Sequence, residues 1–287
     1  RQPDLLEKRE YRGRSDVEVR RRIESFSSLA GHHSDTSEPD YDQITGRYAD
    51  LLRTPVTALR ERTIFGFPKG PVAGTAIHKL FEHPDFRFDT AMEDDHSELI
   101  GDVLEAYGID AGWVPVVQKM IRDVAGAETR GLKLSDISPE DELREMEFHF
   151  PIVKPDGDSL YKIIRGKNSK SLDSNEKSQL LTGFIDLIVR QNGMYYVLDY
   201  KSNYLGELPD DYSRDALAME MQAAGYDLQY HLYIVALRKL LQKRIPGFSY
   251  EKHVGGACYL FVRGMKQGSS HAVYFHKPDI EVIRKLE

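Results

Sequence analysis

Leu180-Leu181-Thr182-Gly183-Phe184-Ile185-Asp186-Leu187-Ile188-Val189-Arg190-Gln191-Asn192-Gly193-Met194-Tyr195-Tyr196-Val197-Leu198-Asp199-Tyr200-Lys201-Ser202 is the stretch that decides the fold. Two runs rich in β-branched, aromatic and aliphatic residues flank Asn192-Gly193, the dipeptide best suited to the two positive φ angles of a type I′ hairpin turn. A two-residue turn there pairs Gln191 with Met194 and Arg190 with Tyr195. Continuing outward, it pairs Val189 with Tyr196, Ile188 with Val197 and Leu187 with Leu198. The next opposed pair is Asp186 and Asp199, and Phe184 comes level with Lys201. Strand alternation then sends Asp186, Asp199 and Lys201 to one face, and a slip of one residue would turn a carboxylate away.

Opposed strand residues hold their Cβ atoms roughly 4.5–5.5 Å apart. Two carboxylates about 5 Å apart repel by about 3 kcal/mol at an effective dielectric near 20. Their neighbours Phe184, Ile185, Leu187, Ile188, Val197 and Leu198 are apolar, so water screens the pair poorly. A divalent cation compensates such a pair, and oxygen donors suit magnesium or manganese. Lys201 reaches the same space and can hold a phosphate oxygen or stabilise developing negative charge. The plainer alternative is an ion pair between Lys201 and one or both aspartates.

Outward from the hairpin, Glu145-Met146-Glu147-Phe148-His149-Phe150-Pro151 alternates and reads as a strand ended by its proline. Residues 154–179, with Lys167-Asn168-Ser169-Lys170-Ser171, read as an exposed loop or insertion. Upstream, Phe67-Pro68-Lys69-Gly70-Pro71 is a break, after which Thr75 is a plausible cap for a helix with Ile77, Leu80 and Phe81 on its apolar face. Helical patterns follow over 94–107 and 113–125. Downstream, a long helix is expected from about Ala216 to Leu241, then strands at Val254–Val262 and Ala272–Phe275. In that helix Gln222, Tyr226, Gln229 and Tyr233 are spaced four, three and four residues apart and share one polar stripe, beside the apolar Leu228, Leu232 and Val235. A hairpin among helices with later strands makes a mixed α/β domain.

The 287 residues carry a formal net charge of −7, which argues against tight autonomous binding to nucleic acid but suits an acidic metal site. No apolar run is long enough for a membrane span, so no membrane role is expected. The one cysteine, Cys258 in an apolar run, excludes an intramolecular disulfide, a cysteine zinc cage and an iron–sulfur cluster. It fits a reducing cytoplasm. Arg1-Gln2-Pro3-Asp4 is neither an initiator methionine nor a signal peptide and reads as a cut from a longer protein. Residues 1 to about 24, including Arg20-Arg21-Arg22, read as a solvated helix or linker, and 30–46 as a loop.

At Gly183-Phe184-Ile185-Asp186 and Leu198-Asp199-Tyr200-Lys201-Ser202-Asn203 the chain resembles the PD-(D/E)xK nuclease superfamily, in particular its RecB branch. Gly74-Thr75-Ala76-Ile77-His78-Lys79-Leu80-Phe81-Glu82, Glu145-Met146-Glu147-Phe148, Tyr226 to Tyr233 and Gly255 to Gly264 match in the family's order. Residues before about 65 match only loosely, through Ser25-Phe26-Ser27-Ser28-Leu29.

The resemblance implies an α/β, restriction-endonuclease-like core: a central mixed β-sheet flanked by helices, with an N-terminal helical or loop extension. Residues 1–65 would be linker and extension from a helicase region, and 66–287 the nuclease domain. It implies His78, Asp186, Asp199 and the main-chain carbonyl of Tyr200 as metal ligands. Lys201 would be the catalytic lysine, acting with Asp186, Asp199 and Glu145, and Glu147 is a second acidic candidate. A lone helical histidine such as His78 would otherwise read as structural. Gln229 and Tyr233 match the RecB-type Gln-x-x-x-Tyr motif and, with Tyr226, would contact the DNA backbone.

The implied cofactor is Mg²⁺, with Mn²⁺ an alternative and Ca²⁺ binding without supporting cleavage. The implied activity is exonucleolytic hydrolysis of DNA, mainly single-stranded, in double-strand-break repair and recombination. The implied partners are DNA, RecC-like and RecD-like subunits and a RecA-like recombinase. Two rival readings are a non-catalytic docking or DNA-binding module that loads a recombinase, and a stand-alone nuclease of the same superfamily.

Overall fold

The computed structural model describes residues 23–25, 62–153, 160, 163–164 and 178–287. Its strands are β1 (Ile23–Ser25), β2 (Glu128–Thr129), β3 (Leu132–Lys133), β4 (Glu142–Val153), β5 (Ser178–Gln191), β6 (Met194–Lys201), β7 (Val254–Phe261) and β8 (Val273–His276). Its helices are α1 (Pro71–Glu82), α2 (Ser97–Ala106), α3 (Val114–Ala125), α4 (Arg214–Ala223), α5 (Tyr226–Arg244), α6 (Tyr250–His253) and α7 (Ile280–Leu286). The main sheet runs β1-β5-β6-β7-β8, with β4 along β5, and β2 and β3 form a separate ribbon. β5 is antiparallel to both β4 and β6, whereas β6 and β7 are parallel. A parallel step needs a crossover, which α4, α5 and α6 supply. The result is the mixed α/β sheet expected.

The hairpin forms in the expected register, from Gln191 opposite Met194 to Leu187 opposite Leu198. Asn192 at φ 51° and Gly193 at φ 75° make the turn, conformations that Asn and Gly adopt at little cost. Leu198 and Tyr200 face the layer of α1 to α3. Tyr200 stacks on Phe81 of α1 with ring centroids 4.3 Å apart, and Val124 of α3 lies with Leu198 and Leu260 around one small gap. Asp199 and Lys201 face the other way, where Lys201 Nζ sits 4.0 Å from the Tyr226 ring of α5. The sheet is therefore sandwiched along β6, whose Val197 to Lys201 are buried on both faces.

Several boundaries differ from the sequence reading. Helix α1 starts at Pro71, not after Thr75: proline has no N–H to lose in a first turn, and Thr75 Oγ1 instead donates to the Pro71 carbonyl at 2.9 Å. Strand β4 does not end at Pro151, which pairs with Leu180. An edge strand tolerates a proline because its missing N–H can face away from the sheet. The single long helix expected from Ala216 is two helices, broken where Gly225 adopts φ 74°. Gln222 consequently lies on α4, exposed, and not in line with Tyr226.

Residues Ile23 to Ser25, at the end of the segment expected to be a linker, instead pair in parallel with Leu180 to Thr182 of β5. The Arg20-Arg21-Arg22 segment, the 30–46 loop, Phe26 to Leu29 and the Lys167 insertion lie outside the described residues. Cys258 is buried in β7 and burial pushes its thiol up to about 12, so it is an inert core residue, as expected.

Helix α5 is buried on every side from Tyr226 to Leu237. His231 lies in this stretch, its Nδ1 2.6 Å from the Asp227 carbonyl and its ring stacked on Tyr230. Burial pushes it down to about 4, with His276 adding a smaller push in the same direction. Below its ordinary value near 6.5 the unfolded chain takes up a proton that the folded one refuses, so stability falls as pH drops towards 4. Between pH 7 and pH 5 this should cost about 2 kcal/mol. His231→Phe should remove that part of the pH dependence, read as a smaller shift in urea midpoint between the two pH values. An unchanged shift would show that His231 is not the group titrating.

Candidate active site

The β5–β6 ladder stops at Leu187 and Leu198. One step further the strands part, and Asp186 Oδ2 accepts the Tyr200 N–H at 3.0 Å, where a strand carbonyl would otherwise serve. This bond holds the Asp186 carboxylate in the fork. From α1, His78 Nδ1 approaches the same oxygen at 3.3 Å. Across the fork Asp199 is 1% exposed and Lys201 2%, and Lys201 Nζ lies 2.8 Å from Asp199 Oδ2. The ion pair weighed as the plainer reading of Lys201 thus exists, alongside the gathering of Asp186, Asp199 and His78.

Glu145 joins them from β4. The pairs Arg144–Leu187 and Met146–Ile185 bracket it opposite Asp186, and its φ of 49° interrupts the strand's alternation there. Burial pushes its carboxyl up to about 8, reinforced by Asp186 and Glu82, while Lys79 opposes. Asp199 is pushed up to about 7, first by burial and next by Asp186, with Lys201 and His78 pulling it down. Three carboxylates therefore feel one another in a place that water reaches poorly. Glu147, the second acidic candidate, is not among them. It is exposed, with Oε1 3.2 Å from His149 Nε2, because the irregular backbone at Glu145 breaks the alternation that would put the two glutamates on one face.

Tyr226, Gln229 and Tyr233 form a wall behind Lys201 and not an open surface. Gln229 is 2% exposed: its Nε2 donates to the Tyr233 hydroxyl and its Oε1 accepts from the Tyr259 hydroxyl, both at 2.9 Å. The Tyr226 hydroxyl donates to Asn203 Oδ1 at 3.3 Å, and Asn203 Nδ2 donates to Glu220 at 2.8 Å. The DNA contact expected of these three side chains would need polar ends at the surface, and all three residues are buried. Tyr259 was not singled out in the sequence, although it pairs with Asp199 in register.

Arg263 was also missed. It is buried, and its guanidinium donates to the carbonyls of Ser202, Ile64, Phe67 and Pro68. It ties the exit of β6 to the segment that leads into α1. Its signal was an arginine closing the apolar run of β7, where a buried charge demands several partners.

The profile of the PD-(D/E)XK nuclease superfamily matches residues 47–287. The chain belongs to that superfamily. It is 39% identical over 278 residues to the RecB subunit of the RecBCD enzyme of Escherichia coli K12, covering 93% of this chain and 23% of the relative. It is 31% identical over 279 residues to the RecB subunit of Haemophilus influenzae, covering 94% and 22%. It is 29% identical over 270 residues to that of Mycobacterium tuberculosis H37Rv, covering 82% and 24%. The chain thus spans under a quarter of the length of these relatives. It is a nuclease domain homologous to RecB, with the fold of its superfamily.

PD-(D/E)XK nucleases generally use divalent metal ions. Among the described residues, no three His, Cys, Asp or Glu side chains already form a closed cage. The donor chemistry nevertheless fits. Asp186, Asp199 and Glu145 offer hard oxygens, His78 adds an imidazole and the Tyr200 carbonyl lies between Asp199 and Lys201 in the chain. Burial first, and the neighbouring carboxylates second, raise the proton affinities of Asp199 and Glu145, and a cation held among these oxygens would favour their charged forms. Mg²⁺ or Mn²⁺ at ~100-fold above its Kd should then stabilise the fold by about 3 kcal/mol, seen as a rise in Tm. Asp186→Asn should abolish most of that rise. An equal rise in the variant would place the ion elsewhere. No described helix is long and apolar enough to cross a membrane.

Proposed function

We propose that this chain is the DNA-cleaving domain of a RecB-type helicase–nuclease, acting as a Mg²⁺-dependent exodeoxyribonuclease in double-strand-break repair and recombination. The observation that carries this reading is the fork itself: Asp186, Asp199, Glu145 and Lys201 meet where β5 and β6 part, in a chain aligned over nearly all its length with RecB subunits. The substrate is DNA, mainly a single strand delivered by a motor. The partners are RecC-like and RecD-like subunits and a RecA-like recombinase, and the compartment is the cytoplasm. Residues 66–287 are the nuclease domain, and 1–65 lead to it from a helicase region, with Ile23–Ser25 of that stretch pairing into the nuclease sheet.

His78, Asp186, Asp199 and the Tyr200 carbonyl would hold the ion, with Glu145 beside them. The bound ion supplies charge neutralisation at the phosphate and a water of lowered pKa. Tyr200 N–H keeps Asp186 aimed into the fork, so its oxygen is fixed before substrate arrives. Lys201 Nζ, gripped by Asp199 and backed by the Tyr226 ring, donates to a non-bridging phosphate oxygen and stabilises the charge that builds in the transition state. Tyr226, Gln229 and Tyr233 bear on the DNA through this wall: their hydrogen-bonded network fixes where Lys201 can point. Low local dielectric strengthens these interactions.

Asp199→Asn, which keeps the side-chain shape, should lower cleavage of single-stranded DNA at least ~100-fold, and Lys201→Met should do the same. DNA affinity should stay near that of the parent chain. Gel assays of a labelled strand with Mg²⁺, and with EDTA as control, read the effect. Cleavage at the parent rate by Asp199→Asn would sink the assignment.

A further inference from the structure

Among the described residues one Phe, Tyr or Trp ring stands open to solvent, Phe184, at 49% exposure. Its position makes this unusual. Strand β5 is an interior strand, and its neighbours Ile185, Leu187, Ile188 and Val189 are all fully buried. Opposite Phe184 in β4 stands Glu147, also exposed, with His149 next along the same edge. Gly183 cannot lend cover from the other face, where the Phe148 ring already fills the space a side chain would need. The open strip thus begins two residues from Asp186, at a distance of about 6.6 Å along a strand.

We propose that Phe184 is a stacking platform for one base of a single-stranded nucleic acid. The base packed on its ring places the neighbouring phosphate at Asp186, Asp199 and Lys201. This rests on the nuclease reading above and adds the group that selects the form of the substrate. An internal base of a duplex already has both faces covered by its neighbours, so away from a duplex end only an unpaired base can lie on the ring. Stacking is sequence-tolerant because every base presents a π-face. It also needs no positive charge, which suits a chain of net charge −7. Glu147 beside the ring, held 3.2 Å from His149, would disfavour a phosphate there and so directs the backbone towards the fork.

The test measures binding by fluorescence anisotropy, in Ca²⁺, of a short fluorescein-labelled single strand, of the same strand with abasic tetrahydrofuran sites in place of its bases, and of the matching duplex. The parent chain should bind the base-bearing strand at least about fivefold more tightly than the abasic one. Phe184→Ala should erase that preference and leave abasic and duplex affinities unchanged. Phe184→Trp should keep or enlarge it. Phe184→Leu, equally apolar but without a π-face, should lose it, and it stands in if the alanine variant melts early. A preference that survives in Phe184→Ala and Phe184→Leu, or one missing from a parent chain that cleaves single strands in Mg²⁺, overturns the stacking role alone. A parent chain that neither binds nor cuts DNA overturns the nuclease reading and this proposal with it.

Discussion

The structure turns on a single backbone N–H. Tyr200 gives its hydrogen to the Asp186 carboxylate and not to a strand carbonyl, and this is where β5 and β6 stop being a ladder. A side chain in that place keeps the amide satisfied, as a buried amide must be, while forcing the strands apart. The gap receives Asp199 and Lys201 on a strand whose both faces are covered by helices. The charges are thereby desolvated together, which disfavours each in isolation and makes their mutual geometry matter. A cluster of this kind is an electrostatic liability in the resting protein, one that a cation and a phosphate would turn into an asset.

Around the fork the protein spends ordinary packing on precise placement. Helix α1 brings His78 to Asp186 and is anchored one turn later by Phe81, which stacks on Tyr200, the residue that orients the aspartate. Phe86 and Phe88 extend the same aromatic cluster, and Arg144 reaches over both rings to carbonyls at the end of α1. On the opposite face Gln229 joins two tyrosine hydroxyls, so that the ring of Tyr259 cannot drift from its register with Asp199. Arg263 then couples both layers. Four carbonyls from two distant segments share one planar donor fork, a geometry that lysine could not reproduce.

What could be read from residues alone was whatever local chemistry settles. Asn192-Gly193 set the turn, and the turn set the register as far as Leu187 opposite Leu198; the next expected pair, Asp186 with Asp199, does not form, because the Asp186 carboxylate takes the Tyr200 N–H and the strands part. The helical patterns at 94–107 and 113–125 correspond closely to α2 and α3, because apolar periodicity there meets a single buried face. The misses have equally physical causes. Helix α5 is buried all round, so its pattern runs on into α4 and conceals the glycine that separates them. Glu145 adopts a positive φ that no residue type advertises, and with it goes the alternation from which Glu147 was placed. The position of His78 depends on how α1 packs, which periodicity does not encode, and only the family resemblance pointed to it. Tyr226, Gln229 and Tyr233 were correctly grouped, but a shared stripe says nothing about whether water or protein lies beside it.

The three-residue strand β1 carries a practical lesson about where such a domain can be trimmed. Ile23 to Ser25 line the flank of β5 at Leu180 to Thr182, on the stretch that β6 does not reach. Shortening the chain to begin at the helix-bearing body, near residue 62, would leave those peptide groups unsatisfied beside buried Leu181. Bare edges of that type recruit strands from neighbouring molecules. Shortened versions would therefore tend to self-associate in solution, even though every side chain of the fork would still be present.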